Sequence, residues 1–138
     1  MKIINIEIPF KTPSINLMYV TWSPRGSART MRIKSKEAKA AAKEVEKIVK
    51  ESSIEQIDGE LEVSITIYSN WYNKDGTIKK KDIANLEKFI TDSIFASIEG
   101  MDDKQIFKIT MNKIQSTEER SVIKITEYND EKEKQESK

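Results

Sequence analysis

Neither cysteine nor histidine occurs anywhere in the 138 residues. Disulfides, thiol nucleophiles, Ser-His-Asp triads and Cys/His zinc sites are therefore excluded. Any bound metal must be held by oxygen, which points to Mg²⁺ or Mn²⁺. General acid–base work falls to Lys, Asp, Glu, Tyr or water. No apolar run approaches the roughly 18 residues that span a bilayer, so no membrane insertion is expected. The first residues, Met1 to Ile8, lack the long apolar core and small-residue cleavage site of a signal peptide, and the chain is expected to stay in the cytoplasm.

What is present suits a single globular domain. Hydrophobic residues make up 37% and charged residues 34%, and the length allows a sizeable core without staples. The expected domain is residues 1–128. Residues 129–138 hold four acids and three lysines in no pattern and read as a charged flexible tail. The net charge of +1 hides patches: Arg25, Arg29, Arg32, Lys34 and Lys36 gather in one, and Lys79, Lys80 and Lys81 in another.

Alternation over residues 2–9, ended by Pro9, predicts a first strand. Residues 10–31 keep no period and carry Pro13, Pro24, Gly26, Tyr19, Trp22 and arginines, which predicts a long functional loop. Ser35 caps a predicted helix rich in Ala, Lys and Glu, whose charged positions read as a solvated face. Glu60–Tyr68 alternates strictly and predicts a second strand. A second helix is predicted from about Asp82 to Ser97, with Ile83, Leu86, Ile90 and Ile94 on one side and Asn85, Lys88 and Asp92 opposite. Residues 105–111 and 120–126 predict two strands joined as a hairpin through Ser116–Glu119. The fold class is thus α+β, a small mixed sheet with two helices.

Chemistry concentrates in Lys79-Lys80-Lys81-Asp82-Ile83-Ala84-Asn85-Leu86-Glu87-Lys88 and, one helix later, Met101-Asp102-Asp103-Lys104. Carboxylates, an amide and lysines around a helix start and the following turn are what metal-assisted phosphodiester chemistry requires. Each part also has a plainer reading. Asp82 can be a helix cap, Asp102-Asp103 an ordinary turn, and the three lysines a solvated loop. Trp22, Trp71 and Tyr72 can be core anchors or platforms that stack on exposed bases.

These segments, in the order strand, Pro13-Ser14-Ile15-Asn16 loop, helix, strand, lysine-rich loop, Asp82-Ile83-Ala84-Asn85-Leu86-Glu87-Lys88, helix and Met101-Asp102-Asp103-Lys104-Gln105-Ile106, resemble the RusA family of Holliday junction resolvases. The resemblance runs from Ile3 to about Tyr128. It implies a homodimeric, Mg²⁺-dependent endodeoxyribonuclease that nicks four-way DNA junctions in symmetric pairs. It further implies Asp82 and Asp103 as metal ligands, with Asp102 the adjoining half of its pair, and Lys88 as the catalytic lysine. Asn85 would orient a carboxylate. Lys79, Lys80, Lys81, Arg25, Arg29 and Arg32 would hold the DNA backbone. A dimer also suits the task, because two strands of a junction are cut by sites related by a twofold axis.

Ala84 departs from the family pattern, which places a second aspartate there. Two explanations stand open: position 84 was altered to disable the nuclease, or other acids such as Asp92 or Asp102 replace the lost carboxylate. The rival functions are a catalytically silent junction-binding protein of the same fold and a protein-interaction module with no DNA role.

Overall fold

The computed structural model describes residues 2–14, 19–22 and 31–129, with 19–22 and 31–34 described by their backbone alone. Period-two patterning sets the main strands. In β1 (Ile3–Ile8) Ile4, Ile6 and Ile8 are buried while Ile3, Asn5 and Glu7 are exposed. In β4 (Leu61–Ser69) every second residue from Leu61 is buried, and β6 (Arg120–Glu127) buries Ser121, Ile123 and Ile125. With β5 (Ile106–Gln115) they form a four-stranded sheet in the order β1-β6-β4-β5. The β1–β6 and β6–β4 pairs are antiparallel and β4–β5 is parallel. The fold is accordingly α+β with a mixed sheet and two helices.

The expected hairpin between β5 and β6 does not form, because β4 lies between them. The buried face of β4, Leu61, Val63, Ile65, Ile67 and Ser69, suits a central position. The Ser116–Glu119 connector crosses the end of β4, with the Ser116 amide donating to the Ser69 carbonyl at 2.9 Å. Two strand spacings are about 9.6 Å, within reach of that connector. The expected loop over 10–31 is also corrected. Within it lies β2 (Tyr19–Trp22), which pairs antiparallel with β3 (Met31–Lys34). Strands of four residues are too short to reveal a period in sequence. All but the first residue of the predicted tail lies outside the described residues.

Helix α1 (Lys36–Glu51) starts as expected at Ser35, whose hydroxyl oxygen accepts from the Ala38 amide at 3.1 Å. It buries Ala38, Val45 and Val49. Helix α2 (Ala84–Ser97) crosses between the parallel strands β4 and β5 and packs against α1. It therefore buries more than the predicted stripe: Phe89, Thr91, Ser93 and Phe95 join Leu86, Ile90 and Ile94. The buried hydroxyl of Ser93 is satisfied by donating to the Phe89 carbonyl at 2.7 Å. The N-terminal ends of both helices border one cavity, and their C-terminal ends meet around Val49, Ser53, Ser97 and Ile98. The helices thus run side by side in the same direction.

Candidate functional site

The segment between β4 and α2 is fixed by Trp71. Its indole donates to the Ile114 carbonyl at 3.0 Å, its backbone amide donates to the Gln115 side-chain oxygen at 2.8 Å, and the residue is 5% exposed. Trp71 is a core anchor, leaving Tyr72 as the exposed aromatic of this loop. From Trp71 the chain makes a narrow excursion. Tyr72 bridges Ile78, Gly76 turns the chain at φ +85°, and the Lys79 amide returns to the Trp71 carbonyl at 2.8 Å. Only a residue without Cβ adopts that φ without strain. The excursion delivers Lys79, Lys80 and Lys81 to the end of the sheet, where the Lys113 ammonium lies over the Trp71 ring and donates to the Lys81 carbonyl.

Beside this end a cavity of about 690 Å³ opens between the starts of α1 and α2. Lys11, Thr12, Pro13 and Ser14 form one wall, Glu37 and Ala41 of α1 another, and Lys80, Lys81, Asp82, Asn85 and Leu86 a third. The neighbouring Lys11 side chain and partial burial push the Lys81 ammonium down to about 8, the nearby charge of Lys79 adding to this and Glu119 opposing it. Like charges brought together favour losing one proton.

Asp82 does not serve as the side-chain cap of α2. The cap position is Ile83, without a side-chain bond, and Asp82 contributes its backbone carbonyl to the Asn85 amide. The Asp82 carboxylate is exposed and makes no hydrogen bond or ion pair with a described residue. Asp102 has the opposite character. Its side chain accepts from the Lys104 amide at 2.9 Å, and the Gln105 side chain accepts from the Asp102 amide in a capping box. That bond from the Lys104 amide, with the neighbouring Asp103 side chain as a lesser cause, holds the Asp102 carboxyl below its usual range.

The two halves of the predicted site do not converge within one chain. Asp82 precedes the fourteen-residue α2 and Asp103 follows it, a helix of about 21 Å. Lys81 is tied to Lys113 near the far end of β5, whereas Gln105, beside Asp103, donates to the carbonyls of Ile57 and Gly59 at the other end. The strand between is about 26 Å long. Lys88 and Asp92 pair on the exposed side of α2 at 3.1 Å, and Asp92 is about 15 Å along the axis from Asp82, too far to replace a carboxylate at Ala84. Ala84 itself is exposed at the first position of α2. Arg25 and Arg29 lie outside the described residues, and Arg32 is seen by its backbone in β3, opposite Thr21. Among the described residues of one chain no group of three or more carboxylates could hold a metal.

Sequence reasoning missed Lys11, Thr12 and Glu37 as neighbours of Asp82. Lys11 stands alone in sequence, Thr12 precedes a proline, and Glu37 belongs to a helix whose charges read as solvated, so no local pattern marked them. Among the described residues no helix is long and apolar enough to cross a membrane. A family model described as endodeoxyribonuclease RusA matches residues 12–126. No match was found among curated proteins.

Proposed function

The chain belongs to the RusA endodeoxyribonuclease family, and from that premise we propose that it binds four-way DNA junctions in the cytoplasm and nicks them in symmetric pairs with a divalent cation, Mg²⁺ or Mn²⁺. The domain that does so is residues 1–128, with 129–138 an appendage. The observation that carries this reading is the Asp82 carboxylate, unpartnered among the described residues, at a cavity walled by Lys11, Lys80 and Lys81. An unengaged acid beside unneutralised lysines suits phosphodiester chemistry and serves no evident structural purpose.

The working unit is a homodimer. Asp82 and Asp103 stand at opposite ends of α2, so a site that uses both takes Asp82 from one copy and Asp103, with Asp102 beside it, from the other. In that unit these aspartates would hold the cation, which when bound polarises the phosphodiester and lowers the pKa of a water. Asn85 orients the Asp82 carboxylate. Lys88 balances charge that develops on the phosphorane-like transition state. Lys79, Lys80, Lys81, Arg25, Arg29 and Arg32 hold the DNA backbone, which makes binding strongly salt-dependent.

Ala84 supports a second reading, a junction-binding protein that no longer cuts, because a methyl group stands where the family places a carboxylate. A labelled four-way junction with Mg²⁺ separates the two. The Ala84→Asp chain is expected to nick about 10–100-fold faster than wild type, the range that loss of a metal-supporting group covers, while Asp82→Asn abolishes nicking. Nicking by neither wild type nor Ala84→Asp would leave the silent binder standing. Equal affinity for junction and linear duplex would defeat both readings and favour a protein-interaction module.

A further inference from the structure

We propose that the cavity between the starts of α1 and α2 seats one backbone phosphate of the bound DNA strand, with Lys11 and Lys81 as its clamp and Thr12 as a hydroxyl donor. The proposal rests on the junction-binding reading and adds residues that lie outside its motif. Lys11 and Lys81 line the same cavity, close enough for the charge of one to depress the other, and neither makes an ion pair with a described residue. Two adjacent ammonium groups repel when nothing lies between them, whereas an anion between them turns that repulsion into two charge-assisted bonds.

Thr12 is the second, independent observation. It is only 6% exposed, lines the same cavity, and makes no hydrogen bond with a described residue. Buried hydroxyls ordinarily have partners, and no fully buried polar atom in the described residues lacks one. The Thr12 hydroxyl is therefore not fully sealed, and the residue borders both this cavity and a smaller one beside it. At about 690 Å³ the space lies within the 300–1,000 Å³ typical of ligand clefts. Pro13, Ala41 and Leu86 supply apolar wall for a deoxyribose. Glu37 and Asp82 also line the cavity, so the lysines must sit closer to the phosphate than these carboxylates do. The first amides of α2, left without a side-chain cap, add favourable dipoles.

The test uses the full chain with Mg²⁺ replaced by EDTA, comparing wild type, Lys11→Met, Thr12→Val and a control, Lys47→Met, on the exposed side of α1. Junction binding by fluorescence anisotropy should weaken about tenfold for Lys11→Met, with the slope of log K against log salt reduced by about one. Lys47→Met should change neither. In a second arm, Tm is compared in sodium phosphate and sodium chloride at equal ionic strength. Phosphate stabilises proteins generally by exclusion, so the quantity read is the excess for wild type over Lys11→Met. A positive excess supports the seat. No excess, or Lys11→Met binding the junction as Lys47→Met does, overturns it. If wild type fails to prefer the junction, the functional reading falls while the phosphate arm still judges the seat.

Discussion

Asp82 and Asp102 are the same residue type in opposite circumstances, and they should respond oppositely to the same change. Asp102→Asn weakens the capping box at the start of the short 3₁₀ turn and is expected to lower Tm. Asp82→Asn removes a carboxylate with no hydrogen bond among the described residues and should leave Tm unchanged while abolishing nicking. Circular dichroism melts beside junction assays check the pair. Lys81 yields a pH prediction. Its folded pKa is pushed down to about 8, below the ordinary lysine value of about 10.4, so between those values the unfolded chain binds more protons. Stability should therefore rise with pH across that window, and the unfavourable contribution is fully present below it. Lys11→Met, by removing the first cause, should flatten the rise of the urea midpoint between about pH 8 and 10.4.

At the level of elements, the turns that join helices to strands hold the ends of the molecule apart. Gly100, between α2 and the Asp102 cap, sits at φ +83° and accepts a bond from Gln56 at 3.2 Å. An added Cβ would come within 2.4 Å of the Gln56 side-chain oxygen. That amide can swing away, but the backbone conformation remains strained for any L side chain. Gly100→Ala should cost about 1–2 kcal/mol, measured by urea unfolding. The helices themselves were legible. Ser35 and the Ala-rich run announced α1, and the spacing of Leu86, Ile90 and Ile94 announced the inner side of α2. The burial of Phe89 and Phe95 was not legible, because it depends on α1 packing where a sequence pattern sees only open helix surface.

For the whole molecule, the separation of Asp82 from Asp103 makes a sharp demand. If each site draws on two copies, mixing Asp82→Asn protomers with Asp103→Asn protomers creates heterodimers with one intact site, since both defects fall in the other. Single-strand nicking should return to a substantial fraction of the unmutated level, read in whichever background cuts, wild type or Ala84→Asp. Sites contained within one chain would give no rescue, each retaining one defect. Sedimentation should also report a dimer at assay concentration.

Local alternation and periodicity were enough to specify β1, β4, β6, both helices, the α+β class and the order of the motif, because each is written in neighbouring residues. Long-range pairing was decided only in three dimensions. Burial of one face of β4 drew it between β5 and β6, where sequence proximity had suggested a hairpin. The length of α2 then carried the two acidic segments to opposite ends of the chain, while the parallel course of the helices brought Lys11, Thr12 and Glu37 to Asp82. Such neighbours are set by how apolar faces stack, and no spacing along the chain encodes them.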